Sequence, residues 1–328
     1  MVDQKNLIEI TKKIVSREDV KYVIGYKKGT YGFQIMPAFA YTPEDAEDFI
    51  YSPLCSKNLA VYTILEEKLP LKRGEEEDKR KIGVVVKGCD SRAIVQIIQE
   101  KGLKREDLVL IGIPCKGVIE PKKIEKMFPN QTDLIDVIEN DNGEYILNIG
   151  GKTHKVPKNE LLSDVCKSCE FPNPPLYDVL LEEEVEIAEI EEFSKIIELE
   201  EKTTEDNWEY WKKHFERCIR CYACREACPL CYCKECMADT LNPQWIRRSV
   251  NLSENTAWNI MRAYHLAGRC VSCGECERVC PVNIPLMELN KKIEKDVKKM
   301  FDYTSGLDEE EKPLFGMFKP DDPEDFIL

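Results

Sequence analysis

Two short cysteine runs constrain this chain more than any other feature. The first reads Cys218-Ile-Arg-Cys221-Tyr-Ala-Cys224-Arg-Glu-Ala-Cys228-Pro229, the second Cys270-Val-Ser-Cys273-Gly-Glu-Cys276-Glu-Arg-Val-Cys280-Pro281. Both fit C-x2-C-x2-C-x3-C-P, a spacing that wraps a [4Fe–4S] cluster. Three cysteines at this spacing set three thiolates around one cubane. The fourth, carried away by the chain just before proline, ligates the other cluster of the pair. The expected sets are therefore Cys218, Cys221, Cys224 and Cys280 for one cluster, and Cys270, Cys273, Cys276 and Cys228 for the second. Zinc also uses paired cysteines, but its sites take two C-x2-C pairs rather than two four-cysteine runs ending in Cys-Pro.

The rest of the composition agrees with metal chemistry in a reducing compartment. The 328 residues suffice for two domains with real cores. Sixteen cysteines and a start, Met1-Val2-Asp3-Gln4-Lys5, without signal-peptide character point to metal ligation in the cytoplasm rather than to disulfides. No apolar run approaches the roughly 18 residues that span a bilayer, so no membrane insertion is expected. The formal charge of -14 excludes the basic footprint of a nucleic-acid binder. The same acidity suits either plain solubility or a surface that meets a basic patch on a redox partner.

Hydrophobic periodicity predicts a helix over residues 3–15, a strand over 20–26, a turn at 27–30 and a returning strand over 32–40. A short helix starting at Thr42-Pro43 and another over 58–65 follow, then a charged stretch over 72–81. Ile82-Gly83-Val84-Val85-Val86 and Leu108-Val109-Leu110-Ile111-Gly112-Ile113 are continuous apolar runs, as buried parallel strands require. Each run delivers a cysteine at its C-terminal end, Cys89 and Cys115, where open α/β sheets bind ligands. Helix is expected over 92–99. A C-x2-C pair, Cys166 and Cys169, closes this region. No G-x-G-x-x-G follows either strand, so a dinucleotide site of the Rossmann kind has little support. Singly, each cysteine has a plain reading as a small buried hydrophobe.

The order strand–Gly–Cys–helix, strand–Ile–Gly–Ile–Pro–Cys, then C-x2-C before Glu-Phe resembles the beta-subunit family of coenzyme F420 (deazaflavin) hydrogenases and dehydrogenases. That resemblance covers roughly residues 1–175. It implies a third [4Fe–4S] cluster on Cys89, Cys115, Cys166 and Cys169, with FAD as the neighbouring cofactor of the family.

Residues 178–206 carry thirteen acidic residues against Lys195 and Lys202, with apolar residues interleaved. They read as an acidic bridge that folds back on one of the domains. Trp208, Trp211 and Phe215 share a helical face and read as core packing. Forty-one residues part Cys228 from Cys270, and helices are predicted over 253–266 and 285–299. This spacing resembles the helical two-cluster ferredoxin module of the small iron–sulfur subunit of heterodisulfide reductase and of succinate dehydrogenase iron–sulfur subunits. Four cysteines remain: Cys55, Cys231, Cys233 and Cys236. They make a candidate fourth cluster, with free thiols or zinc as the alternatives. Arg220, Arg225 and Arg278 flank the runs, either to offset cluster charge or simply to face solvent. The tail from Asp308 holds apolar stretches at 313–318 and 326–328, either disordered or docked on a partner subunit.

The expected fold is an α/β N-terminal domain with a small mixed sheet (1–175), an acidic linker (176–206), a mainly α-helical ferredoxin-like domain (207–300) and an acidic tail (301–328). The expected function is electron transfer: an iron–sulfur subunit relaying single electrons within a cytoplasmic anaerobic redox complex of hydrogenase, formate dehydrogenase, aldehyde oxidoreductase or heterodisulfide reductase type. Its partners would be catalytic and flavin-containing subunits or a soluble ferredoxin. The alternative is an FAD-containing subunit that passes electrons between a deazaflavin or nicotinamide and the clusters.

Overall fold

The computed structural model describes residues 3–30, 33–64, 74, 78–129, 136–140, 142–187, 190–316 and 320. The chain divides into two compact units, one of residues 1–92 and 103–190, the other of residues 93–102 and 191–328. An α/β unit and a helical cysteine-rich unit are the architecture the sequence predicts.

The first unit opens with helix α1 (Gln4–Val15), started by Asp3, whose carboxylate accepts from the Lys5 amide at 3.0 Å. It buries Leu7, Thr11, Ile14 and Val15. Strand β1 (Val20–Lys28) pairs antiparallel with β2 (Ile35–Ala40), closed by the Gly29 amide on the Gln34 carbonyl at 2.7 Å. Gly32, expected to begin β2, lies outside the described residues. The helix expected at Thr42 is a 3-10 turn, Asp45–Asp48, because the Asp45 carboxylate turns back onto the Tyr41 and Thr42 amides. Among the described residues the helix expected over 58–65 is likewise a single 3-10 turn, Leu59–Tyr62; Leu65 lies outside the described residues, as does half of the charged stretch over 72–81. Asn58 and Leu59 are instead fastened to the start of the next helix, through the Cys89 carbonyl and the Asp90 carboxylate.

Strand β3 (Lys81–Val86) runs into helix α2 (Gly88–Gln99), and β4 (Leu108–Gly112) lies parallel to β3 with Val84 opposite Leu110. Every residue of β4 is buried, as its unbroken apolar run requires. The sheet order is β2-β1-β3-β4-β8, where β8 is Val179–Leu180, so the beginning of the acidic segment is a sheet edge. Asp178 holds it there: its amide donates to the Leu110 carbonyl at 2.9 Å, and its carboxylate accepts from the Leu110 amide at 2.6 Å and pairs with Arg105 at 2.6 Å.

Helix α3 (Pro121–Met127) leads to a three-stranded antiparallel meander, β5 (Asp136–Glu139), β6 (Glu144–Ile149) and β7 (Lys152–Pro157), which the sequence reading missed. The signal present in the sequence was a glycine at each turn, Gly143 and Gly150-Gly151, and the structure puts them at positive φ. One face buries Val137, Tyr145, Leu147 and Val156 against Ile119, Ile124 and Leu161.

In the second unit, α4 (Ser194–Glu200) precedes α5 (Thr204–Glu216), capped by Thr203; α6 (Leu252–His265) is capped by Asn251; α7 is Leu286–Phe301. Phe215 is buried and stacks on Trp211 at 5.6 Å, but Trp208 is 44% exposed, so the aromatic stripe enters the core only at its C-terminal end. The tail reaches back: Leu314 is buried with Ala267, Val297 and Tyr303, where Gly268 leaves room for it. Met317, Phe318 and residues 326–328 lie outside the described residues. Among the described residues no helix is long and apolar enough to cross a membrane.

The later acidic residues anchor rather than repel. Glu192, nearly buried, accepts from Lys291 at 2.8 Å and Lys298 at 2.6 Å, two positions on α7 seven residues apart. Burial opposes ionisation of Glu192, but the two ammonium groups outweigh it and hold its carboxyl below the ordinary value of 4.5. A depressed carboxyl stabilises the fold above its unfolded pKa and loses that contribution as pH falls through the folded one. Glu192→Gln should therefore cost about 2 kcal/mol in denaturant melts at pH 7, with the gap to wild type closing as the pH drops below 4.5.

Candidate metal centres

The two cysteine runs share one backbone device. The residues on either side of the second cysteine, Arg220 and Tyr222 in the first run, adopt left-handed conformations at φ +55° and +60°, and so do Ser272 (+53°) and Gly274 (+76°) in the second. Alternating the hand of successive residues turns consecutive amides toward one concave side, a cradle suited to an anionic group. Three of the four are not glycine, so the conformation carries a cost. Arg220 helps to hold the first run: its guanidinium donates to the Glu254 and Arg247 carbonyls and the Tyr222 hydroxyl. A one-turn helix follows each cradle, Ala223–Glu226 and Glu275–Arg278.

Cys218, Cys221, Cys224 and Cys280 line one cavity, with Trp258 and Ile284 among its walls. The fourth cysteine of the second run has thus joined the first three of the first. Cys228, hydrogen-bonded to Cys231, also interacts electrostatically with Cys270 and Cys276 of the second run. Cys273 is half-buried in the same run. Thiols spread over the walls of a cavity suit a polynuclear cluster; a single tetrahedral ion would draw them to one point. N–H groups already face the sulfurs: the Trp258 indole on Cys224, the Ile284 amide on Cys280 at 3.4 Å and the Asn290 amide on Cys276 at 3.6 Å.

Burial pushes the thiols of Cys224 and Cys276 up, and that of Cys270 to about 11. Cys228 moves the other way. A hydrogen bond from Cys231 favours its thiolate, burial opposes it, and the Arg262 guanidinium adds to the lowering. Cys231 is raised correspondingly. Arg225 pairs with Glu226 and Asp239 and bonds Cys236, and Arg278 pairs with Glu275, so these flanking arginines are spoken for by local partners.

The first unit gathers the other cysteine set. Cys89 begins α2, and its thiol, raised by burial and by Asp90, interacts with Cys115 and Cys169. The Cys115 amide is tied to the Pro172 carbonyl at 2.9 Å, which draws the segment after Cys169 against the end of β4. Two glycines make the approach feasible. A Cβ on Gly88 would stand 2.0 Å from the Phe171 carbonyl oxygen, and Gly117, at φ +96°, would place one 3.3 Å from the Cys166 Cβ and 2.6 Å from Leu162. Tyr145, on β6, interacts with both Cys115 and Cys166, and its buried hydroxyl has no hydrogen-bond partner. A buried hydroxyl without a partner near two thiols and Glu139 is a donor available to an anionic group.

Beneath this set lies a buried ion pair, Lys87–Asp90 at 2.8 Å, with both side chains at most 2% exposed. Asp90 also accepts from the Lys87 and Leu59 amides, and Lys87 donates to the Lys57 carbonyl and the Tyr26 hydroxyl. Burial alone would depress Lys87; the charges of Asp90 and Cys89 outweigh it and raise its pKa. Cys55, pushed up to about 11 by burial, sits with the Ser52 amide on its sulfur and faces Cys115 and Lys87. Cys55 belongs to the first unit, Cys231, Cys233 and Cys236 to the second; Cys233 is exposed.

The same unit holds a cavity of about 880 Å³ beside the Pro114–Gly117 loop and Tyr51. Five glutamates line it, Glu139, Glu182, Glu183, Glu184 and Glu186, against Lys116. That lining repels a pyrophosphate, which needs cationic groups or a helix N-terminus.

Lys87, Tyr145 and Arg262 were not found from sequence. A lysine three residues before an aspartate around Gly-Cys at a strand end was the available signal for the first. For Arg262 it was the run of polar residues Asn255, Asn259 and Arg262 on the buried face of α6. Tyr145 had no signal before its meander was recognised.

Gly88→Ala should cost about 1–3 kcal/mol in denaturant melts, since a carbonyl oxygen cannot yield as a side chain would. Asp90→Asn should cost about 3–5 kcal/mol, because it strands Lys87 without its counterion. Replacing both by apolar residues, Lys87→Met with Asp90→Leu, should recover part of that loss.

Comparison with known proteins places this geometry. Residues 214–284 match the family described as the 4Fe-4S dicluster domain. The F420-dependent formate dehydrogenase subunit beta of Methanocaldococcus jannaschii is 27% identical over 73% of this chain and 77% of its own length. The F420-dependent formate dehydrogenase 1 subunit beta of Methanococcus maripaludis is 26% identical over 93% of this chain and 91% of its own. A structure of the F420-reducing [NiFe] hydrogenase complex from Methanosarcina barkeri matches at 15% identity and a TM-score of 0.37, over 51% of this chain and 59% of that one.

Proposed function

We propose that this chain, a relative of F420-dependent formate dehydrogenase beta subunits that carries a 4Fe-4S dicluster domain, is the iron–sulfur electron-transfer subunit of a formate dehydrogenase-type complex. The observation that carries this reading is the cavity lined by Cys218, Cys221, Cys224 and Cys280, which brings the last cysteine of the second run to the first three of the first within one helical module. When bound, each [4Fe–4S] cluster would accept and release one electron at a time. The chain's own contribution is to hold the thiolates, exclude water and aim N–H groups at sulfur, the levers that set a cluster's potential.

Cys218, Cys221, Cys224 and Cys280 would hold one cluster, and Cys228, Cys270, Cys273 and Cys276 the next. A third set, Cys89, Cys115, Cys166 and Cys169, is supported by their gathering around the Gly88 and Gly117 approaches. No such gathering supports the remaining four, Cys55, Cys231, Cys233 and Cys236. The partners that fit are the catalytic subunit that supplies electrons and a carrier that removes them. The flavin reading is weaker, because the large cavity beside the third set is walled by carboxylates.

Anaerobic purification of the full chain with iron, sulfide and flavin analysis tests this directly. About twelve irons per chain and no stoichiometric flavin are expected. About eight irons would remove the third cluster, about sixteen would restore the fourth, and one FAD per chain would overturn the relay in favour of a flavoenzyme.

A further inference from the structure

The buried face of α6 carries a cation that the dicluster motif does not call for. Arg262 is 4% exposed. Its Nη2 donates to the Cys224 carbonyl at 2.9 Å, and its Nε is buried with no hydrogen-bond partner. Among the described residues no Asp or Glu forms an ion pair with it. Nearby arginines differ: Arg225 pairs with Glu226 and Asp239, Arg269 with Glu100, and Arg278 with Glu275. The electrostatic neighbours of Arg262 are instead thiols, those of Cys276, Cys231, Cys228 and Cys224. Cys224 belongs to the first cysteine set, and Cys228 and Cys276 to the second.

A buried guanidinium without a carboxylate is costly unless another anion answers it. An oxidised cubane with four thiolates carries a charge of about −2, which becomes more negative on reduction. Two such groups sharing one interior supply the missing anions. We propose that Arg262 is the shared countercharge of the two dicluster centres, a positioning residue that raises the reduction potentials of both at once. The inference rests on the cluster reading above. Its physical basis is that a fixed positive charge in a low-dielectric interior favours the more negative, reduced form of each neighbour. The orphaned Nε–H is the donor left for that role. Helix α6 is the element that can serve both sets, because it packs on the first cysteine run by way of Asn255 and Trp258 and presents Arg262 one to two turns further on.

The test uses the full chain, purified anaerobically, as wild type, Arg262→Gln and Arg262→Lys. Iron and sulfide are counted, and the midpoint potentials of the two centres are followed by EPR during redox titration. Fewer than about eight irons in the wild type would defeat the cluster reading itself, and the inference with it. With that reading intact, Arg262→Gln should keep its iron and shift both midpoints to lower potential, while Arg262→Lys stays closer to wild type. Unmoved midpoints in a fully loaded Arg262→Gln, or a shift confined to one centre, overturn the proposal. If Arg262→Gln loses iron, the lysine variant decides: full iron with near wild-type midpoints supports the countercharge, and loss of iron or a fall in both midpoints refutes it.

Discussion

The helical module depends on a crossing. Cys280, the last cysteine of the second run, lines the same cavity as Cys218, Cys221 and Cys224 of the first, so that cavity needs both runs. That makes the 41 residues between the runs a structural requirement. They supply α6, whose buried face offers Asn255 to the Phe215 and Cys218 carbonyls, the Trp258 indole to Cys224 and Arg262 to thiols of both sets. The left-handed residues beside Cys221 and Cys273 are the local counterpart. They turn the chain sharply enough for three sulfurs to face one cavity, and side-chain bonds such as those of Arg220 hold the strained turn in place.

In the α/β unit the corresponding constraint is close approach. Parallel strands β3 and β4 end side by side, so Cys89 and Cys115 are brought together by the sheet itself. Cys166, in the one-turn helix Asp164–Lys167, and Cys169 just after it come close because Gly88 and Gly117 present no side chains to Phe171 and Cys166. The Lys87–Asp90 pair underneath is weak evidence of stability on its own account, since desolvation offsets most of its attraction. Its value is orientational: Asp90 clasps the Lys87 and Leu59 amides and thereby sets where the first turn of α2 stands.

Much of this was legible in the chain. Continuous apolar runs identified β3 and β4, because a strand buried on both faces has no polar side to alternate. Cysteine spacing identified the dicluster module, because the reach of three ligands along a backbone is a matter of a few residues. Legibility failed where the determining partner is distant in sequence. Residues 58–65 have helical composition, yet Asn58 and Leu59 are bonded to Cys89 and Asp90, some thirty residues away, and only one 3-10 turn forms. The acidic segment looked like a linker, yet Asp178 extends a sheet and Glu192 clamps α7, because lysines and an arginine elsewhere answer its charge. Trp208 shares its apolar character with Phe215 but stays exposed, since amphipathic spacing does not say where a helix leaves the core.

By itself, then, the sequence determined that this chain binds clusters, through ligand spacings that only a few residues of backbone can enforce. It also determined that an α/β sheet delivers two further cysteines at strand ends. The tertiary structure decided which charges and donors accompany those cysteines: Arg262 beside thiols of both runs, Tyr145 near Cys115 and Cys166, Lys87 below Cys89, and glutamates around the neighbouring cavity. The reason is one of range. Thiol ligation is set by local geometry, whereas potential and selectivity depend on electrostatics through space, and space is assigned only when the chain has folded.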